Sequence, residues 1–230
     1  MKLTLQNVTV ARAGCPVFEP ISLEAEPGTA ILLTGANGAG KTTLLRAIAG
    51  FVAIASGELR LTSADGSHSV ADHCHFIGHQ SGIKANLTVR ENLAFWAAYL
   101  DADAPEEIEP EERPKNRTEK RVQQALSAMA LDDLADLPVA LLSAGQKRRT
   151  ALARLKTAYR PIWLLDEPGV SLDAASTAKL VEVINTHLES GGILLAATHE
   201  PLALKNARTI SIHPALVPDD MESVSHVGAM

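Results

Sequence analysis

Gly35-Ala36-Asn37-Gly38-Ala39-Gly40-Lys41-Thr42 fits the pattern G-x-x-x-x-G-K-[ST], and its flanks decide how it folds. Before it, Thr29 to Thr34 is a compact apolar run of strand length. After it, Thr42-Thr43-Leu44-Leu45-Arg46-Ala47-Ile48-Ala49 carries apolar residues at helical spacing. A strand, a glycine-rich turn and a helix therefore follow one another. Such a turn points successive backbone N–H groups inward at a helix N-terminus, which is a site for phosphate oxygens. Lys41 is placed to reach the β- and γ-phosphates and Thr42 to ligate Mg²⁺.

Working outward, a hydrolytic loop of this kind also needs an acid at the end of a neighbouring strand. Pro161-Ile162-Trp163-Leu164-Leu165 is a near-continuous apolar run, as expected of a parallel strand covered on both faces, and it ends on Asp166. Glu167 follows at the strand's carboxyl end, where it is a candidate general base for an attacking water. Ile193 to Ala197 is a second buried strand, leading to Thr198-His199. Between the two, Leu180, Val181, Ile184 and Leu188 mark an amphipathic helix stopped at Gly191-Gly192. Leu142-Ser143-Ala144-Gly145-Gln146 opens another helix, running to Lys156, with Ser143 as N-cap and Gln146 at capping-box spacing.

The remaining segments fill in an α/β architecture. Leu3 and Leu5, then Val8 and Val10 after a phase shift, then Ile21 and Leu23, alternate as short strands of an antiparallel layer. Gly57 to Thr62 alternates again, and Asp65-Gly66 marks a hairpin. Val89 to Leu100 and Val122 to Leu131 read as helices. The intervening Asp101 to Glu112 is acidic and proline-containing, as expected of a solvated loop, and the tail after Pro214 shows no period and is expected to be loosely ordered.

Composition narrows the function classes. The 230 residues carry 21 Lys and Arg against 27 Asp and Glu, a net charge of −6, which is the wrong sign for a general nucleic-acid binder. Two cysteines, Cys15 and Cys74, are too few for a disulfide framework, and the expected compartment is reducing. No apolar stretch approaches the ~20 residues of a membrane-spanning helix, and the N-terminus does not resemble a secretory signal. His73, Cys74, His75 and His79 invite a metal or haem site. However, His73 and His75 share one face of an extended segment while Cys74 points away, so no four-ligand set emerges. Trp163 is expected in the core, and Trp96 in the core or facing a partner.

The ordered set of glycine loop, Gln80, Leu142 to Gln146, Asp166-Glu167-Pro168, Ser171-Leu172-Asp173 and Thr198-His199 resembles the ATP-binding subunits of ATP-binding cassette (ABC) transporters, from Leu3 to His213. That resemblance implies one P-loop (RecA-like) domain over 1–213, with an antiparallel β layer and a helical subdomain inserted at about 84–158, followed by the tail 214–230. It implies that Gly35, Asn37, Gly38, Gly40, Lys41, Thr42 and Thr43 hold ATP. Thr42, Asp166 and Gln80 would hold Mg²⁺, with Gln80 also the hinge to the helical subdomain. In the family's head-to-tail dimer, Ser143, Gly145 and Gln146 of one subunit face the γ-phosphate bound by the other, Asp173 touches across the interface, and His199 holds the γ-phosphate and water beside Glu167. Ala144 stands where most members have glycine. Arg12 occupies the position of the aromatic residue that usually stacks on adenine.

The stretches Phe76 to Lys84, Ser143 to Leu155 and Thr198 to Leu202 are similar, more narrowly, to the haem-export ATPases of cytochrome c maturation. This implies a peripheral protein at the cytoplasmic face of the bacterial inner membrane, bound to integral membrane subunits. Its ATP cycle would drive release of a haem-loaded chaperone, with haem not bound by this chain directly. The alternatives left open are another bacterial ABC exporter or a soluble cassette ATPase such as one in Fe–S assembly.

Overall fold

The computed structural model describes residues 1–80, 82–101, 114–199 and 202–215. In chain order, β1 (Lys2–Thr9), a short hairpin of β2 (Ala11–Arg12) and β3 (Cys15–Pro16), and β4 (Ile21–Ala25) precede β5 (Ala30–Thr34) and α1 (Lys41–Ile48). Strands β6 (Ser56–Ser63), β7 (Gly66–His68) and β8 (Cys74–Ile77) follow. Helices α2 (Val89–Asp101), α3 (Pro114–Ala128) and α4 (Ala144–Ala153) come next, then β9 (Ile162–Asp166), α5 (Ala174–Glu189), β10 (Ile193–Ala197) and β11 (Ala207–Ser211).

Two larger sheets result. An antiparallel sheet has the order β4-β1-β6-β7, and a parallel sheet the order β11-β5-β10-β9-β8. The phase shift within β1 is a bulge, with register lost between Leu5 and Val8. Asn7 there has φ 48°, and its N–H donates to Ser22 Oγ at 2.9 Å.

The parallel sheet divides the core in two because its strands alternate sides. Ile162 and Leu164 of β9, with Ile31, Leu33, Ile193 and Leu195, face the antiparallel sheet and α1. Trp163 and Leu165, with Leu194 and Ala196, face α2 to α5. The central strands β9 and β10 are thus covered on both faces, which is why they read as unbroken apolar runs.

Three local expectations are corrected. Helix α3 begins at Pro114, ahead of Val122, because proline at a first helical position forfeits no internal hydrogen bond, and it stops before Ala130, whose φ is 49°. Helix α4 ends at Ala153 and tightens into a 3₁₀ turn over Arg154–Lys156. His73 lies in a 3₁₀ turn, Ala71–His73, closed by its N–H on the Val70 carbonyl, so it does not share an extended face with His75. The acidic segment from residue 102 and the tail from residue 216 lie outside the described residues.

Candidate functional site

The glycine loop runs from the end of β5 to the start of α1, at the carboxyl edge of the parallel sheet. Two of its glycines are fixed by crowding as well as by backbone angle. At Gly35, with φ 133°, a Cβ would lie 2.4 Å from the Ile212 carbonyl oxygen; at Gly40, with φ 100°, it would lie 2.6 Å from Phe18 Cδ1. Lys41 is buried, and its Nζ donates to the carbonyls of Gly35 at 2.7 Å and Ala36 at 3.0 Å. The ammonium is therefore held over the loop by the loop's own backbone.

Thr42 Oγ1 donates to both carboxylate oxygens of Asp166, at 2.9 and 3.0 Å. A hydroxyl and a carboxylate in contact offer a hard, all-oxygen donor set, which fits Mg²⁺. Asp166 ends β9 and is buried. Glu167 adopts φ 49°, a left-handed conformation that costs a non-glycine residue free energy and persists only when its surroundings impose it. Here the Glu167 N–H donates to the Ala197 carbonyl at 2.8 Å, and the Glu167 carbonyl accepts from Val170 N–H at 3.2 Å. Glu167 Oε2 accepts from the His199 N–H at 3.3 Å, and its Oε1 is 3.5 Å from His199 Nε2.

A cleft of about 970 Å³ joins these groups. Its lining includes Asn37, Gly38, Gly40, Lys41, Thr42, Thr43, Asp166, Glu167 and His199, together with Arg12 from β2. Gly35 takes part through its carbonyl. Gln80 does not line this cleft; it is exposed and borders a smaller groove of about 330 Å³ with Arg46, Phe51 and Phe76, while its neighbour His79 reaches the cleft. Nor do Ser143, Gly145, Gln146 or Asp173 line it. Ser143 and Gln146 complete the expected capping box at the start of α4, at 3.2 and 2.8 Å. A Cβ at Gly145 would stand 2.7 Å from the Ser171 carbonyl oxygen, so α4 begins against the loop leading to α5. Asp173 caps α5 through the Ser176 N–H at 2.7 Å, and that bond holds its carboxyl below the usual range.

Sequence reasoning missed Arg148. On α4, 8% exposed, its guanidinium donates to the carbonyls of Gly78 at 2.9 Å, Asp166 at 2.7 Å and Glu167 at 2.7 Å, with a longer bond to Pro168 at 3.4 Å. One side chain thus ties α4 to the ends of β8 and β9 and pins both peptide carbonyls flanking the strained residue. Burial lowers its pKa while Asp166 and Glu167 oppose that. Its type and helical position gave no warning, because Lys147-Arg148-Arg149 reads as a charged surface. His75 is buried and its Nε2 is 2.9 Å from the Ala158 carbonyl. Trp163 is core, and half-buried Trp96 lies under the Arg154 guanidinium, 3.5 Å from ring centroid to Cζ.

A phosphate-type loop facing an acid-tipped strand across a parallel sheet, with an antiparallel layer on one side and helices on the other, defines a P-loop nucleotide-binding cassette. The chain belongs to the ABC transporter family, whose sequence pattern matches residues 18–170. It is 42% identical over 204 residues to the cytochrome c biogenesis ATP-binding export protein CcmA of Nitrobacter winogradskyi, covering 89% of this chain and 94% of that one. It is 44% identical over 214 residues to the protein of the same name from Cereibacter sphaeroides, covering 93% and 90%. Among solved structures, a putative ABC transporter ATP-binding protein from Pyrococcus furiosus superposes with a TM-score of 0.72 at 24% identity, over 91% of this chain and 97% of that one. An ATP-binding cassette dimer in a post-hydrolysis state with ADP and Pi superposes with a TM-score of 0.73 at 23% identity, over 92% and 94%. These two bear on fold alone. No helix among the described residues is long and apolar enough to cross a membrane.

Proposed function

We propose that the chain is the ATP-hydrolysing subunit of a haem-export system for cytochrome c maturation, docked on integral membrane subunits at the cytoplasmic face of the inner membrane. The observation that carries the catalytic half is the contact of Thr42 with Asp166, next to a Glu167 whose carboxylate faces the same cleft as Lys41. The names of the relatives support the cytochrome c half.

In this reading Lys41 leaves the Gly35 and Ala36 carbonyls to meet the β- and γ-phosphates, and Thr42 and Asp166 hold Mg²⁺ through oxygen. When bound, Mg²⁺ neutralises charge on the phosphate oxygens. Asn37, Gly38, Gly40 and Thr43 complete the phosphate cradle, and Arg12 lies against the base. Glu167 accepts the proton of the attacking water, and His199, beside its carboxylate, orients water and γ-phosphate. A second copy would bring Ser143, Gly145 and Gln146 to the cleft, with Asp173 at the joint. A capped α4 N-terminus on that copy offers a positive dipole end to the γ-phosphate. Gln80, in the loop after β8 and bordering the same groove as exposed Phe51, is suited to transmit the cycle to membrane subunits. Cargo recognition would fall to those subunits, and the residues 84–158 would move as the helical subdomain.

The test is Glu167→Gln. It keeps the site's shape and ATP binding, and hydrolysis should fall at least ~100-fold, the scale of a lost general base. Cells dependent on this variant should lack mature c-type cytochromes and accumulate the haem-loaded chaperone. Normal cytochrome c content with a hydrolysis-dead chain would exclude the haem-export role, and an undiminished ATPase rate would exclude Glu167 as base.

A further inference from the structure

The nucleotide cleft is lined by one imidazole besides that of His199, and it belongs to His79. Elsewhere, His75 and His187 are buried, and burial lowers them to about 3 and about 4. His187 is stacked face to face on Trp163, with ring centroids 3.8 Å apart at 3°. Those two rings are neutral parts of the core. His79 and His199, in contrast, are exposed where the cleft opens.

The sheet explains the place of His79. Strands β8, β9 and β10 are adjacent and parallel, with Ile77 paired to Leu165 and Asp166 paired to Ala197. His79, Glu167 and His199 therefore stand one or two residues past the carboxyl ends of three neighbouring strands, with Glu167 on the middle one. Open parallel sheets bind their ligands at that edge. The Arg148 guanidinium sets the spacing, because it donates to the Gly78 carbonyl at 2.9 Å and to the Asp166 and Glu167 carbonyls at 2.7 Å each. The backbone that delivers His79 and the backbone that delivers Glu167 thus hang from one side chain. Gln80, the next residue, borders the other groove, with Phe51 and Phe76.

We propose that His79 is a further substrate-binding residue, whose imidazole meets the γ-phosphate of ATP from the β8 side of Glu167 while His199 stands on the β10 side. An imidazole always carries at least one N–H donor, which suits a terminal phosphate oxygen. His199 Nε2 lies 3.5 Å from Glu167 Oε1, so that ring is engaged with the base, and His79 supplies a second donor at the same edge. Neighbouring residues then divide the work: His79 reads the nucleotide, and Gln80 faces the groove. His79 has this role only if the cleft is the ATP site, as proposed above.

The experiment uses the full chain carrying Glu167→Gln, so that nucleotide is bound and not turned over. ATP and ADP, each with Mg²⁺, are titrated by calorimetry, and thermal unfolding confirms that every variant is folded. His79→Ala should weaken ATP about tenfold, the loss of one hydrogen bond to a charged group, and ADP by less than about twofold. His79→Gln, which restores an N–H donor, should recover most of the ATP affinity. The same tenfold loss should appear when Gln80→Ala is already present, because independent contacts add. Equal weakening of ATP and ADP would place His79 away from the γ-phosphate, and an unchanged ATP affinity would mean that it touches no nucleotide; either overturns the assignment. So does a loss that disappears in the Gln80→Ala background, which would make His79 a support for its neighbour. A parent chain that binds neither nucleotide would refute the cleft as the ATP site, and the role of His79 with it.

Discussion

Replacing Arg148 by Met removes a buried cation while keeping a flexible apolar stem of similar reach. Three charge-assisted hydrogen bonds, at 2.7, 2.7 and 2.9 Å, are lost. Each is worth about 1.5 to 3 kcal/mol before the guanidinium's own desolvation is subtracted, and that desolvation is large enough to lower its pKa. Removing one partner of such a buried network typically costs about 3 to 5 kcal/mol, and we expect about 3, because Met refills the volume. The functional effect should be separable. Glu167 keeps its left-handed backbone only while its peptide groups are tied down, so releasing its carbonyl lets the carboxylate move. A displacement on the order of 1 Å at a reacting group costs about 100-fold in rate. Lys41 and the glycine loop do not touch Arg148, so KM for ATP should stay within about twofold while kcat falls 10- to 100-fold. Arg148→Lys, which retains charge but cannot fork between Gly78 and Asp166, should recover stability in part and kcat little. Denaturant unfolding gives the first quantity and steady-state ATPase kinetics, at a temperature where every variant is folded, gives the second. An Arg148→Met chain that loses stability but keeps its kcat would show that the residue only staples the domain, and the link to Glu167 would be refuted.

Two further outcomes concern the base and pH. Arg12 on β2 can stack on any purine, a contact contributing about 1 to 2 kcal/mol at an exposed position, so ATP and GTP should compete within about tenfold, and Arg12→Ala should weaken both alike; a hundredfold preference for ATP in competition binding would reveal a base-reading group elsewhere. His75 and His187, lowered to about 3 and about 4, bind protons less readily folded than unfolded, where the value is about 6.5, so their neutrality stabilises the fold above pH 6.5 and that stabilisation is lost as pH falls from 6.5 towards 4. The expected slope is up to about 1.4 kcal/mol per pH unit for each histidine, and His187→Phe should flatten it in denaturant titrations between pH 7 and 5; an unchanged slope would show that His187 takes up its proton without unfolding.

The parts of this molecule legible in sequence are those whose chemistry is fixed by near neighbours. The glycine loop, the capping box at Ser143 and Gln146, and the doubly buried β9 and β10 each carry their signal within a few residues. Illegible parts depend on distant partners. The edge strand β11, Ala-Arg-Thr-Ile-Ser, is mostly exposed and shows no clean alternation, so only its pairing with β5 makes it a strand. Arg148 looks like surface charge until the ends of β8 and β9 surround it. Likewise, Trp163 and His187 come together only when α5 packs on β9, and no spacing rule links them. The cleft assembles Lys41, Asp166, Glu167 and His199, whereas Ser143 and Asp173 serve as caps within their own chain, so the roles argued for them need a second copy.

The two glycines after α5 look interchangeable, yet they answer to different constraints. Gly191 has φ 85° with its nearest obstacle 3.8 Å away, so its requirement is one of backbone angle, and asparagine, which tolerates that angle, is a workable substitute. Gly192 has an ordinary backbone, but a Cβ there would come within 2.2 Å of the His187 ring. In a saturation library the first site should accept a small, chemically defined set of residues and the second none at all, since even alanine would drive the imidazole off the indole of Trp163.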